Sequence, residues 1–233
     1  MARLPRIDLP GIPQHVVQRG NNRLPCFLDH RDRWEYLATL GEALQHTDCQ
    51  LHAYVLMENH VHLLVTPPRA GAVGALMQRL GRRYVAWFNA RHERTGTLWE
   101  GRYKACLVDS ETYVLRCARY IDLNPVRARL TSDPASYPWS SCAALLGLRD
   151  EPLLTPHPAQ RALDATQRQP GKAYAELLSE ALPAEELDAI RLYLRQQRAW
   201  GRDDFRAMVE SKTRRFASVR PAHRPRQTSG ARK

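Results

Sequence analysis

Two apolar runs, Leu51–Met57 and His60–Thr66, are separated by nothing but Glu58-Asn59. A connection that short joins antiparallel neighbours, so the chain is expected to hold a hairpin there, and the rest has to pack around a sheet. Alternation then sorts the side chains. His60 and His62 share one side of their strand, while Val61, Leu63 and Val65 share the other and face a core.

The flanking segments read as alternating strands and helices. Gln14–Arg19 is strand-like and ends at Gly20, and Asn21-Asn22-Arg23 makes a polar loop. Asp29 or Asp32 caps a helix reaching about His46, with Trp34, Leu37, Leu40, Ala43 and Leu44 at helical spacing. Pro67-Pro68 stops the hairpin. A second helix runs from about Ala72 to His92, with Leu76, Leu80, Tyr84 and Phe88 on one stripe and Arg79, Arg82, Arg83 and Arg91 elsewhere. Tyr103–Val108 is a further strand, and Ser110 caps a third helix from Glu111. The order β-α-β-β-α-β-α predicts an α+β fold, a ferredoxin-like antiparallel sheet with helices packed on one face.

This domain is expected to span residues 1–147. Beyond it, Pro152, Pro156, Pro158 and Pro170 mark a linker-like stretch, with helices near Ala173–Ala181 and Ala184–Trp200. Residues 148–210 therefore read as a helical extension without an assigned role. From Ser211 to Lys233 there are eight Lys/Arg and no Asp or Glu, the composition of a disordered basic tail that holds phosphate nonspecifically.

Charge points the same way. Lys+Arg number 35 against 24 Asp+Glu, a net charge of +11. Arg forks onto phosphate and stacks on bases, so its dominance over Lys favours a nucleic-acid partner. A GC-rich genome would explain the Arg/Lys ratio but not the net charge. No apolar run approaches a membrane span, and Met1–Pro13 lacks the apolar stretch of a signal peptide, so the cytoplasm is the expected location. Cys26, Cys49, Cys106, Cys117 and Cys142 have no CxxC spacing and read as free, mostly buried thiols.

Two short patterns carry chemistry. His60-Val61-His62 puts two imidazoles on one face of a strand, about 7 Å apart at Cα, close enough to share one divalent ion. Taken alone, the pattern is weak evidence and fits exposed-face histidines better than a metal site, and no zinc-finger spacing accompanies it. In Tyr113–Asn124, Val114, Cys117, Ala118 and Ile121 form a buried helical stripe with Tyr120 at its rim. Asn124 follows one turn later, and Pro125 ends or kinks the helix there. That segment alone also fits a core-flanking Tyr and a helix-ending Asn.

Together the patterns resemble the single-tyrosine HUH transposases, most closely the REP-associated tyrosine transposases of bacterial chromosomes. The resemblance rests on Glu58-Asn59-His60-Val61-His62-Leu63-Leu64-Val65 and on Ala118-Arg119-Tyr120-Ile121-Asp122-Leu123-Asn124-Pro125-Val126, with Trp99-Glu100-Gly101-Arg102-Tyr103-Lys104 between them. It spans roughly residues 10–147. It implies that His60 and His62 are metal ligands, that Tyr120 is the nucleophile, and that Asn124 is a third ligand or phosphate-positioning group. It implies Mg²⁺ or Mn²⁺ as cofactor and a 5′-phosphotyrosine intermediate on single-stranded or hairpin DNA. It also implies a mobile tyrosine helix, so these residues need not all meet in one static structure.

For DNA contacts, Arg19, Asn21, Asn22, Arg23, Arg79, Arg82, Arg83, Arg102 and Lys104 offer phosphate or base partners, and Trp99, with Trp87 and Tyr103, offers stacking surfaces. Core packing of Trp87 and a solvated face for Arg82 and Arg83 fit as well. A homodimer stays open. Two other readings compete: a metal-dependent phosphodiesterase or RNase in which the histidines activate water, and a domesticated, noncatalytic DNA-binding protein.

Overall fold

The computed structural model describes residues 6–109, 112–165 and 171–220. Ser110 and Glu111, expected to start the third helix, lie outside them, as do residues 221–233 of the expected tail. The strands are β1 (Gln14–Arg19), β2 (Gln50–Leu56), β3 (His60–Thr66), β4 (Lys104–Val108) and β5 (Ala199–Trp200). The helices are α1 (His30–Thr47), α2 (Ala72–Arg91), α3 (Thr112–Asp122), α4 (Asn124–Arg127), α5 (Cys142–Leu145), α6 (Pro158–Ala165), α7 (Lys172–Ser179), α8 (Ala184–Gln196) and α9 (Asp203–Thr213). One mixed sheet runs β2-β3-β1-β4-β5, antiparallel except for the β4–β5 pair. The predicted hairpin is β2–β3, closed by Met57 N–H donating to His60 O.

On one face, Val16, Val61, Leu63 and Val65 pack under α1 and α2, which bring Leu37, Leu40 and Leu44 and Leu76, Leu80, Tyr84 and Phe88. The α1 start is a capping box: Asp29 accepts from Asp32 N–H and Asp32 accepts from Asp29 N–H. Asp32 is fully buried and also receives Arg91 and His92, which fixes α1 against α2. Trp34 departs from expectation. It is 65 % exposed and meets Trp139 edge-on, because the α1 stripe turned to the sheet starts at Tyr36.

The other face is covered too, which corrects the expectation of helices on one face. Val17, Val55, Leu64, Cys106 and Val108 pack against Val114, Cys117, Ala118 and Ile121 of α3, Tyr174 of α7, and Ile190 and Leu194 of α8. A central strand buried on both sides reads as an unbroken apolar run, and the pairs Val16-Val17 and Leu63-Leu64 are such runs.

The C-terminal region is therefore part of this fold. The expected linker is pinned to the sheet edge, where Thr155 N–H donates to Leu51 O, and α6 begins at Pro158, tolerated in a first helical turn. Trp200, expected in a helix, lies in β5, because Gln197 takes a left-handed φ of 54° and ends α8. Residues 211–220 were expected in the tail. Instead α9 runs to Thr213, and Ala217 is fully buried and accepts from Ala199 N–H. The five cysteines are free and buried. Among the described residues, no helix is long and apolar enough to cross a membrane.

Candidate active site

The sheet register builds the floor of the site. Arg19 pairs with His60, and Val17 pairs with His62 on one side and Lys104 on the other. Side chains 15, 17 and 19 of β1, 60 and 62 of β3 and 104 of β4 therefore share the face covered by α3 and α8. Gly20 closes the end of β1: its N–H donates to Asn59 O at 2.8 Å, and a Cβ there would lie 2.2 Å from Leu24 O. A cavity of about 590 Å³ opens over this floor.

The histidines were expected to leave the core together. His60 is partly exposed, but His62 is 4 % exposed beneath α3. Their ring centroids are 5.0 Å apart. His60 Nδ1 lies 2.7 Å from Asn59 Oδ1, so it carries the proton and donates, leaving the Nε2 lone pair free. His62 Nδ1 lies 2.8 Å from Nε2 of fully buried His15, and in the tautomer in which His62 Nδ1 donates its Nε2 lone pair is free. Burial, with the Arg19 charge nearby, lowers the His60 pKa to about 4, and burial carries His62 well below its ordinary value. Both are neutral near pH 7, the form that ligates a metal.

Tyr120 sits over this pair. Its ring meets His62 edge-on at 5.8 Å and His15 at 5.7 Å, and it is 6 % exposed on the cavity wall. The stripe of Val114, Cys117, Ala118 and Ile121 is fully buried, as expected. Arg127 packs under Tyr120, with its guanidinium carbon 4.3 Å from the ring centroid and Nη2 donating to Tyr120 O at 2.6 Å. Its Nη1 is buried without a hydrogen-bond partner among the described residues. Asp122 anchors the same helix by accepting from Tyr174 Oη at 2.7 Å and Ser141 Oγ at 2.8 Å; burial raises its pKa to about 7.

The helix breaks one residue before the expected point. α3 ends at Asp122, and Asn124 opens α4 with Pro125 behind it. Asn124 Nδ2 donates to Tyr120 O at 3.0 Å and Ile121 O at 3.2 Å, which leaves Oδ1 as its free acceptor, and the residue lines the cavity. No group of three His, Cys, Asp or Glu arranged for a metal occurs among the described residues. Two imidazole nitrogens and an amide oxygen still fit a hard cation that completes its shell with water and phosphate oxygens.

Of the expected DNA contacts, Arg19, Arg102 and Lys104 line the cavity. Asn21, Asn22 and Arg23 form a short 3-10 turn and do not, and Arg79, Arg82 and Arg83 lie on α2, across the sheet. Arg83 pairs with Glu42. Trp99 is 7 % exposed, packed on Tyr84 and Tyr36, and so presents no face to a base. Trp87 stacks on Tyr84, and Arg6 covers the Tyr103 ring at 3.6 Å. Sequence reasoning missed His15, Glu100, Arg127, Arg191 and Arg195. Strand alternation signalled His15, two residues from Val17 and four from Arg19. Nothing in the sequence signalled Arg127, which reaches Tyr120 only because the chain turns at Pro125.

Residues 10–124 match the family model described as IS200-like transposase. The structure of a REP-associated tyrosine transposase bound to a REP hairpin is similar, with a TM-score of 0.50 at 13 % identity, covering 66 % of this chain and 98 % of that one. At such identity the likeness shows the fold. A putative transposase from Deinococcus radiodurans R1 aligns with a TM-score of 0.36 at 20 % identity, over 56 % of this chain and 91 % of that one. No curated protein matches the chain.

Proposed function

Because this chain, through residues 10–124, belongs to the IS200-like transposase family and so to enzymes that process DNA in transposition, we propose that it cuts and rejoins single-stranded or hairpin DNA, with Tyr120 as the nucleophile. The observation that carries the reading is the packing of Tyr120 over His62 on the wall of a cation-rich cavity. The hairpin bound to the similar transposase supports a hairpin substrate here.

In this reading the Tyr120 oxygen forms a bond to the scissile phosphorus as the bond to the 3′ oxygen breaks. The phenol proton leaves and the departing 3′ oxygen gains one, giving a 5′-phosphotyrosine and a free 3′-OH. The phosphoester is conserved, so a 3′-OH can reverse the step without ATP. His60 Nε2, His62 Nε2 and Asn124 Oδ1 would hold Mg²⁺ or Mn²⁺, which when bound supplies Lewis-acid polarisation of the phosphate. His15 and Asn59 orient the two imidazoles through Nδ1. Arg127 holds the tyrosine ring and adds positive charge beside the phenol oxygen's developing bond. Asn124 ties its side chain to the carbonyls of Tyr120 and Ile121, coupling ligand and nucleophile positions.

A hydrolase leaves no protein on the DNA, and that difference is the test. Protein, Mn²⁺ and hairpin DNA from repeats beside its own gene are mixed and resolved on a denaturing gel. DNA labelled on the 3′ side of the cut should migrate as a protein adduct, and DNA labelled at its 5′ end should run free. Tyr120→Phe should abolish the adduct while binding persists. Tyr113→Phe should not, since Tyr113 packs on Trp200 at 5.0 Å. Cut DNA without any adduct would replace this reading with water attack.

A further inference from the structure

We propose that α8, outside the residues that match the transposase family, is a phosphate-gripping wall of the cavity, where Arg191 and Arg195 hold the backbone of the single strand that Tyr120 attacks. The inference rests on the single-strand reading above and adds a binding site to it.

Helix α8 is amphipathic in a way that separates docking from binding. Ile190 and Leu194 are buried in the core beside α3. The next residue after each, Arg191 and Arg195, lines the cavity. They are four apart on one helix face, about 6 Å along the axis. That spacing lets two guanidinia contact neighbouring phosphates of one strand. The helix is fixed by its apolar stripe, and the chain beyond it joins the sheet as β5 beside β4, so the backbone that carries the two cations is in place before any ligand arrives.

The rest of the lining carries Arg19 of β1 and Lys104 of β4, both on the floor, and Arg102. Against these five cations the cavity lining offers one carboxylate, Glu100. Arg191 has Asp188 at 3.2 Å, but Arg19, Arg102, Lys104 and Arg195 have no ion pair among the described residues. The Arg191 charge also acts against that of Arg127, buried beneath Tyr120. An arrangement of cations that repel one another across a cavity is offset by a polyanion lying between them. Arg suits phosphate oxygens through its forked donors, and backbone contacts carry no base information.

The test uses the full chain and two unrelated mixed-sequence single strands, fluorescein-labelled, with affinity measured by anisotropy over a range of salt. Each cation removed from the phosphates of a single strand flattens the slope of log affinity against log salt by about 0.7. Arg191→Gln with Arg195→Gln should therefore flatten it by about 1.4, equally for both sequences. Arg161→Gln with Lys172→Gln removes two exposed charges from α6 and α7 and should leave the slope as in wild type. An unchanged slope in the α8 double variant overturns the wall. So does equal flattening by the α6/α7 pair, and so does weakening confined to one sequence, which would mean base reading. The tyrosine reading fails separately: wild type that binds with a steep slope but forms no adduct rejects transesterification and leaves the wall standing.

Discussion

The two faces of the sheet are built from the same strands and do opposite things. Under α1 and α2, Val16, Val61, Leu63 and Val65 meet leucines and aromatic rings, and the buried carboxylate of Asp32 is paired with Arg91 and His92. Under α3 and α8, the neighbouring positions are His15, Val17, Arg19, His60 and His62, beside an open cavity. The period of two in a strand makes this possible: one residue's step moves a side chain from core to site. The closed face supplies rigidity, and the open face spends some of it on buried imidazoles that apolar groups would replace at lower cost.

The contrast breaks most visibly at nearby residues of β3. His60→Ala should reduce cleavage below detection while the melting temperature stays near wild type, since His60 is partly exposed and packs no core. EDTA should reproduce that loss in wild type, and Mn²⁺ should reverse it. Leu63→Ala, three residues on and facing the other way, should cost about 2–5 kcal/mol of stability in denaturant unfolding. Full-rate cleavage in EDTA would sink the metal role; a His60→Ala protein as unstable as Leu63→Ala would show that the faces are not functionally separate.

His15 sharpens the comparison, because it is as buried as any core residue yet lies on the site face. Its Nε2 meets His62 Nδ1, so it acts on the reaction through His62. His15→Gln keeps a hydrogen-bonding side chain of similar size and should lower cleavage about 10- to 100-fold, as outer partners of metal-binding histidines do. Raising Mn²⁺ should recover part of that loss, which it would not do for a residue that only packs. A loss insensitive to metal concentration would assign His15 to the core.

Most of the first face and of the hairpin was legible because its signals are local. Glu58-Asn59 dictated the turn, Asp29 and Asp32 the start of α1, and Leu76, Leu80, Tyr84 and Phe88 the buried stripe of α2. The second face was less legible because its roof comes from a distant segment. Ala184–Trp200 read as helical, but nothing in the sequence said that Ile190 and Leu194 would pack beside Tyr120. Trp99 misled for a related reason: flanked by Arg102 and Lys104 it resembles a stacking platform, whereas the bridge between Gly20 and Trp99 turns its ring into the aromatic cluster of Tyr36 and Tyr84. His60, His62 and Tyr120 were legible through family resemblance; their chemical partners, His15 and Arg127, required the fold.

The smallest effect is expected where the chain ends, and two truncations isolate it. Stopping after Glu210 removes the end of α9 and Ala217, whose carbonyl receives Ala199 N–H, and opens the small core of Leu107, Phe205 and Val209. That variant should melt at a lower temperature, so any weakening of DNA binding would follow from damage to the fold. Stopping after Arg220 removes Arg224, Arg226, Arg232 and Lys233, a segment with no Asp or Glu, and leaves every described residue in place. Its melting temperature and its cleavage at saturating DNA should match wild type. Affinity should fall only at low salt, where four extra cations attract phosphate without specificity. Equal thermal destabilisation by both truncations would show that the final segment is structural, and unchanged low-salt affinity after the second would remove it from the DNA-binding surface.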